Sequence, residues 1–126
     1  MPALVEAGLP PSHVAVRRAV AWLERIQNAD GGWGEDLRSY DDPTWRGRGE
    51  STASQTAWAL LALHAAGEEE GDAARRGVDY LVATQTADGT WDEPWFTGTG
   101  FPGDFYINYH LYRLVFPIQA LGRLVR

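Results

Sequence analysis

The amino-acid sequence predicts an all-α protein built from stacked helical hairpins, and three observations support this prediction. One stretch occurs twice, at 18–33 (RAVAWLERIQNADGGW) and at 76–91 (RGVDYLVATQTADGTW), with a constant offset of 58 residues and no gap. In both copies apolar residues recur at helical spacing before an Ala-Asp-Gly turn and a Trp. Between the copies, about residues 52–66 form a stretch that is apolar on every face of a helix.

Each copy is predicted to be an amphipathic helix followed by a turn that a tryptophan covers. With the preceding arginine included, the repeats span about 17–33 and 75–91. The Asp-Gly pair ends the helix and turns the chain. We expect each Gln to bond free backbone groups of a neighbouring element, and each Trp to pack over its turn. The residues interpreted as structural are Gln27, Gly31, Trp33, Gln85, Gly89 and Trp91.

The first part of the chain is divided by helix caps and breakers. Residues 2–8 are typical of the tail of a helix, because Gly8 and two prolines follow. Ser12 is the predicted N-cap of the first repeat helix, at about 12–28. A long polar connection then covers residues 29–51.

The middle of the chain is predicted to alternate a buried helix with an amphipathic one. Ser51 or Thr52 would cap the apolar helix, and Asp72 would cap the second repeat helix at about 72–86. This alternation indicates two layers, inner and outer, of a stacked-hairpin fold. Because two copies are too few to close a ring, we expect an arc that leaves residues 53–66 as an exposed apolar patch prone to self-association.

The last segment is predicted to turn and then to form an aromatic helix. Asp104 would cap a helix that extends to about Phe116, and Pro117 would start or kink the final helix. A stripe on this helix would consist of Phe105, Tyr109, Tyr112 and Phe116, at i, i+4, i+7 and i+11. Such a stripe is more typical of core packing. The alternative is a wall that stabilises a cation, since aromatic ring faces attract positive charge.

Composition excludes several classes of function. The chain has no Cys, which excludes disulfides and thiolate chemistry, and its net charge of −6 argues against nucleic-acid binding. No apolar run is long enough to cross a membrane. The three histidines lack metal-ligand spacing, and Asp41-Asp42 is interpreted as part of a turn. The residues alone therefore predict no metal site and no complete catalytic apparatus.

Five tracts of the chain resemble a known family. Both repeats are similar to the Gln-Trp (QW) motif of the squalene–hopene and oxidosqualene cyclases. The tracts at 39–43 (SYDDP), 49–63 (GESTASQTAWALLAL) and 98–123 (GTGFPGDFYINYHLYRLVFPIQALGR) resemble the C-terminal part of bacterial squalene–hopene cyclases. The resemblance covers nearly the whole chain, and the last tract is its most specific part.

The resemblance implies a fold and a reaction. The family folds as two α/α-barrel domains, so residues 1–126 would form a partial α/α barrel (toroid), an incomplete arc of the catalytic barrel domain. The family protonates a terminal double bond of squalene with an Asp-x-Asp-Asp motif. Ring closure then proceeds through carbocations to hopene or hopanol, with no metal or organic cofactor.

The resemblance also implies site residues and a location. In the pocket segment, about 98–116, Phe101 and Phe105 match phenylalanines that stabilise cations in the later rings. Tyr109 and Tyr112 match tyrosines that line or support the same cavity. The family draws its lipid substrate from one face of the membrane, so a peripheral position on the cytoplasmic side of a bacterial membrane is expected.

The sequence departs from the family at one decisive motif. No Asp-x-Asp-Asp occurs in the 126 residues, so we expect the chain alone to lack cyclase activity and to need an upstream cyclase region as partner. Two alternatives remain. The chain could be a non-catalytic remnant or helical binding module, or it could belong to another α/α-barrel terpenoid cyclase that acts on a different polyprene.

Overall fold

The computed structural model describes residues 1–101 and 105–125, and these are mostly helical, as predicted. The α-helices are α1 (Pro2–Glu6), α2 (Val14–Ile26), α3 (Ala53–Ala65), α4 (Asp72–Thr84) and α5 (Tyr112–Leu124). Two short 3-10 helices, Leu37–Tyr40 and Pro43–Trp45, lie in the connection between α2 and α3. Two strands, β1 (Gly98–Phe101) and β2 (Phe105–Ile107), form an antiparallel hairpin that the sequence analysis did not predict. None of the described helices is long and apolar enough to cross a bilayer.

The two repeat helices, α2 and α4, form where they were predicted but are shorter and begin differently. His13, and not Ser12, caps α2, because its Nδ1 accepts the N–H of Ala15 at 3.2 Å. Asp72, the predicted cap of α4, is instead the first helical residue, where its negative charge faces the positive end of the helix dipole. Both helices end one residue before the glutamine of the repeat, which adopts an extended backbone.

The third helix, α3, is covered on every face, which contradicts the predicted apolar patch. Thr52 caps α3 by accepting the N–H of Gln55 at 3.2 Å. No residue from 53 to 66 is exposed, because α1, α4 and α5 all pack against this helix. The expectation of self-association through an exposed inner helix was based on that patch, so it loses its basis.

The prediction of one aromatic helix over residues 104–116 was wrong. Phe105 belongs to β2, where it pairs with Phe101, and α5 begins only at Tyr112. Aromatic and β-branched residues favour strands, and the Thr99 hydroxyl closes the hairpin by donating to the carbonyl of Phe105 at 2.6 Å. The predicted cap, Asp104, lies outside the described residues.

The fifth helix continues through Pro117, which was predicted to start or kink the final helix. Pro117 is fully buried inside α5, where its missing N–H leaves one carbonyl of the first turn without its helical partner. Shifted by 58 residues, α3 would cover 111–123, and α5 covers 112–124. The repeat therefore includes α3 and α5 as well as α2 and α4.

A single cluster of buried side chains joins the two repeats. α3 and α5 make the most extensive contact between helices, and α4 packs on both. The largest members of the cluster are Val16, Val20, Trp33, Leu60, Leu63, Leu81 and Trp91. Trp33 and Trp91, one from each repeat, are thus part of the same core.

Candidate functional site

The two tryptophans of the repeats hold their turns in the same way. Trp33 Nε1 donates to the carbonyl of Leu23 at 2.9 Å, and Trp91 Nε1 donates to that of Leu81 at 2.8 Å. Both indoles are almost completely buried. Each one therefore ties the turn to the last part of its own helix, since both carbonyls lie ten residues earlier.

The glutamines of the two repeats differ in their partners. Gln27 donates to the carbonyls of Gly31 at 2.7 Å and of Ala73, in α4, at 2.9 Å. Gln85 is exposed, and it donates to the carbonyl of Gly89 at 3.0 Å. The first turn is therefore docked on the second repeat, whereas the second turn closes on itself.

The two glycines of these turns show the same contrast. Both have positive φ, 90° at Gly31 and 82° at Gly89, which accounts for glycine in each turn. A Cβ at Gly31 would lie 2.5 Å from the carbonyl oxygen of Arg76, while a Cβ at Gly89 would meet no atom within 4 Å. Gly31 therefore also has no room for a side chain, because the two repeats approach each other closely there, whereas Gly89 is not restricted in this way.

Four aromatic rings form a continuous cluster between α3 and α5, which we call the aromatic cluster: Trp58, Tyr109, Tyr112 and Phe116. Trp58 meets Tyr112 edge to face at 5.6 Å and Phe116 at 5.4 Å. Tyr109 stacks on Tyr112 at 4.6 Å with 18° between the ring planes. The structure thus brings together Tyr109 and Tyr112, two of the predicted pocket residues, and adds Trp58 beside them.

The other two predicted pocket residues lie on the hairpin. Phe101 and Phe105 meet edge to face at 6.1 Å and are 65% and 49% exposed. The hairpin touches the aromatic cluster at Gly98, where a Cβ would lie 2.7 Å from Cε2 of Tyr109. The four predicted residues therefore form two adjacent pairs, one on the hairpin and one beside Trp58.

Trp58 was missed because the sequence analysis treated α3 as a buried structural helix. The 58-residue repeat contains the signal that could have found it, since Trp58 and Phe116 occupy equivalent positions. An aromatic residue at both positions indicates that the two helices meet through their rings.

A cavity of about 610 Å³ lies beside the aromatic cluster, between α2, α3 and the connection that joins them. Trp58 lines this cavity, and the rest of its apolar wall includes Trp22, Leu23, Ile26, Leu37, Ala59 and Ala62. None of the four predicted pocket residues lines it. Trp58 therefore separates this cavity from the tyrosine pair.

Two carboxylates of the connection, Asp36 and Asp42, have lowered pKa values, which favours their ionised form. Arg38 donates two hydrogen bonds to Asp36, both at 2.9 Å, and lowers the pKa of that carboxyl to about 2. The pKa of Asp42 is lowered by its hydrogen bond from the N–H of Thr44. A group that protonates an alkene must be a strong acid that still carries its proton, and these two carboxyls do not fit that requirement.

Comparison with known proteins identifies the family. A family model described as the squalene-hopene cyclase C-terminal domain matches residues 1–126. The chain is 68% identical over 90 residues to a squalene–hopene cyclase of Alicyclobacillus acidocaldarius, covering 71% of this chain and 14% of that protein. It is 54% identical over 123 residues to one of Bradyrhizobium diazoefficiens, covering 96% and 18%. A dammaradiene synthase of Dryopteris crassirhizoma is 46% identical over 122 residues, covering 86% and 18%. The chain thus spans less than a fifth of the length of these three relatives.

Proposed function

The chain belongs to the squalene–hopene cyclase C-terminal domain family, and we propose that it supplies one aromatic wall of a triterpene cyclase pocket. The reaction would be the conversion of squalene, or a similar polyprene, into a polycyclic product such as hopene or hopanol through carbocations. The proposal depends on two adjacent pairs of aromatic rings. Phe101 and Phe105 form one pair on the β1–β2 hairpin, and Tyr109 and Tyr112 form the other beside Trp58.

The proposed role of these rings follows from their chemistry. Each ring face attracts a cation by about 0.5 to 2 kcal/mol, and by more when water is excluded. Rings cannot take up a proton or form a covalent adduct as carboxylates can, so they stabilise a carbocation without ending the reaction. About half or more of the surface of Phe101 and of Phe105 is exposed, and a wall that faces a substrate requires such exposed rings.

The initiating acid is proposed to come from another part of the cyclase. The 126 residues contain no Asp-x-Asp-Asp motif, and the pKa values of Asp36 and Asp42 are lowered. Without a proton donor, the aromatic wall has no cation to stabilise. We therefore expect no cyclisation by this chain in isolation and assign it a role as part of a larger catalytic unit.

We further propose that α5 packs against another helix of the same α/α barrel. Leu111, the N-cap of α5, forms one stripe with Val115 and Ile118, and the three residues are 67%, 53% and 61% exposed. The three positions 58 residues earlier are all buried in α3, a helix on which α4 and α5 pack. The repeat therefore supports a neighbouring helical element over α5, as in a barrel of stacked hairpins.

A chimera tests the proposed function. The matching segment of the Bradyrhizobium diazoefficiens cyclase would be replaced by this chain, and the products from squalene would be identified by gas chromatography and mass spectrometry. We expect cyclised triterpenes from the chimera. With Phe105→Ala in the chimera, we expect normal folding but a larger fraction of incompletely cyclised products, because one ring face is lost at a late cation.

A matched control is available in the same part of the chain. Phe96 carries the same side chain at similar exposure, 47%, but lies outside both ring pairs. Phe96→Ala should therefore leave the product ratios unchanged. Unchanged ratios in Phe105→Ala would contradict the proposed role of the hairpin.

A second candidate is a cyclase of the same superfamily with a different product. The 46% identity to a dammaradiene synthase favours this alternative, because the similarity extends to a relative whose name gives another product. The chimera separates the two candidates by the skeleton it forms. A folded chimera that leaves squalene unchanged would instead favour a non-catalytic binding module.

We also infer that the complete protein works at one face of a membrane, on the cytoplasmic side of a bacterial cell. The support is chemical, since a polyprene substrate partitions into the bilayer and must be drawn from it. Sedimentation of the chimera with vesicles that contain squalene measures this association. Recovery of the chimera in the supernatant at all salt concentrations would contradict it.

A further inference from the structure

Two polar side chains at the base of the hairpin have no role in the function proposed above. We propose that Glu93 and Asn108 are positioning residues, which hold the hairpin and Tyr109 in place against the N-terminus of α3. This inference rests on the proposed function, because the rings that they position are those of the proposed aromatic wall.

Glu93 is buried at the N-terminus of α3. Its Oε2 accepts the backbone N–H of Ser54 at 2.9 Å, and its Oε1 accepts the hydroxyl of Ser54 at 2.6 Å. Glu93 is 8% exposed and Ser54 is completely buried. A buried carboxylate requires such donors, and the positive end of the helix dipole favours a negative charge at this point. Glu93 therefore anchors the chain that leads into the hairpin on α3.

Asn108 closes the other side of the hairpin onto the same segment. Its side-chain amide donates to the carbonyls of Glu93 at 3.2 Å and of Trp95 at 3.3 Å. The N–H of Thr97 donates to the carbonyl of Ile107 at 3.3 Å directly beside it. The hairpin that carries Phe101 and Phe105 is thus closed at its base by the side-chain amide of Asn108 and by the backbone bond beside it.

Glu93 bonds the same face of α3 that carries the aromatic cluster. Ser54 and Trp58 are four residues apart, so they lie one turn apart on one face of the helix. Glu93 bonds Ser54, and Tyr109, which directly follows Asn108, reaches Trp58 through its stacking on Tyr112. Tyr109 is therefore linked to α3 in two ways, through Asn108 and Glu93 and through Tyr112.

The first repeat has a glutamate at the position equivalent to Glu93, and it holds a different part of the chain. Glu35 lies 58 residues before Glu93, but it is exposed, and its Oε2 accepts the N–H of Gly47, in its own connection, at 2.6 Å. In the second repeat the glutamate is buried and reaches α3 of the first repeat. The position thus fastens a connection in both repeats, and only Glu93 joins the repeats to each other.

The test uses Asn108→Asp and Glu93→Gln in the chimeric cyclase. Asn108→Asp keeps the shape of the side chain but replaces the donor with a charge that repels both carbonyls. We expect the KM for squalene to change little, while the incompletely cyclised fraction rises roughly threefold to tenfold because ring positions shift. Glu93→Ala should raise the incompletely cyclised fraction in the same way. Glu93→Gln should keep most of the normal product ratio, because its side-chain amide can still form hydrogen bonds with Ser54.

A double variant distinguishes positioning from a general loss of stability. If Asn108 acts through the hairpin, part of its effect passes through Phe105, so the product shifts of Asn108→Asp and Phe105→Ala should combine less than additively. Gln85→Glu is the control, because it also replaces a side-chain amide that donates to a backbone carbonyl, that of Gly89, with a charge, in the exposed turn of the second repeat. Additive effects in the double variant, or the same product shift in Gln85→Glu, would overturn the proposal.

The near-ultraviolet circular dichroism of the 126-residue chain provides a readout that does not depend on activity. Asn108→Asp should reduce the tyrosine signal of the stacked pair while the far-ultraviolet helix signal stays the same. An unchanged near-ultraviolet spectrum would overturn the proposed positioning even if the chimera were inactive. An inactive wild-type chimera with this spectral change would contradict only the proposed function.

Discussion

Trp58 and Phe116 occupy equivalent positions of the two repeats, and their rings meet edge to face at 5.4 Å with 76° between their planes. The two repeats therefore contact each other through the same position of α3 and of α5. Edge-to-face pairs of this kind contribute free energy beyond the burial of their area. The contact that joins the repeats also supports the tyrosine pair of the proposed pocket.

We expect a measurable coupling between these two rings. In a double-mutant cycle with Trp58→Leu and Phe116→Leu, the coupling free energy should be about 0.5 to 1.5 kcal/mol, as measured by urea unfolding of the chain. Val82, which is exposed on α4, provides the control. The effects of Val82→Ala and Trp58→Leu should add to within about 0.5 kcal/mol. A zero coupling between Trp58 and Phe116 would contradict the contact.

The two glutamines of the repeat should differ in their effect on stability. Gln27→Ala removes two hydrogen bonds, one of them to α4, and should lower the free energy of unfolding by about 1 to 3 kcal/mol. Gln85→Ala removes one exposed hydrogen bond and should cost about 1 kcal/mol or less. Denaturation of both variants in parallel measures the difference. Equal losses would show that the contact with Ala73 adds nothing.

Two glycines inside helices should respond in opposite directions to the same substitution. A Cβ at Gly77 in α4 would lie 2.7 Å from Cζ3 of Trp33, so Gly77→Ala should destabilise the chain by about 1 to 3 kcal/mol. Gly122 in α5 has no atom within 4 Å of such a Cβ. Gly122→Ala should therefore stabilise the chain by up to about 1 kcal/mol through helix propensity alone. Melting curves give both signs, and a stabilising Gly77→Ala would contradict the close packing.

Tyr80 should make the stability of the chain fall at alkaline pH. Burial, together with the negative charges of Asp30 and Glu93, raises the pKa of Tyr80 from 10.0 to about 12. Between these values the folded chain binds more protons than the unfolded chain, so the free energy of unfolding falls as pH rises. The contribution of Tyr80 is complete below a pH of about 10 and is lost towards a pH of about 12.

Tyrosinate absorbance measures this titration directly. The chain has five tyrosines and no lysine, so few other groups ionise in the same range. One tyrosine should titrate later than expected for an exposed phenol, and Tyr80→Phe should remove that late step. Persistence of the late step in Tyr80→Phe would mean that another tyrosine is responsible.

The repeat helices α2 and α4 could be predicted because their signals are local. The apolar spacing of α2 and α4 and the Asp-Gly turns behind them are properties of short stretches of sequence, and the observed ends lie within about two residues of the predicted ones. The caps were less predictable. His13, one residue later than the predicted Ser12, accepts the N–H of Ala15.

The aromatic segment could not be predicted by the same means. Phe105, Tyr109 and Tyr112 fit a helical spacing, but the spacing alone does not exclude a strand followed by a helix. The hairpin is decided by the pairing of β2 with β1 and by the hydrogen bonds of Asn108 to Glu93 and Trp95, and neither contact shows in the spacing of the apolar residues. The interpretation of residues 105–116 as one helix was wrong for this reason.

The sequence by itself determined the repeat, its turn chemistry, the aromatic residues and the motifs that point to the family. These are properties of residue type and spacing, and they need no knowledge of which elements meet. Only the tertiary structure decided that α5 covers α3, that Trp58 joins the tyrosine pair, and that Glu93 reaches the N-terminus of α3. Such contacts depend on the packing of whole helices, because many pairs of apolar faces are equally compatible with the same pattern of residues.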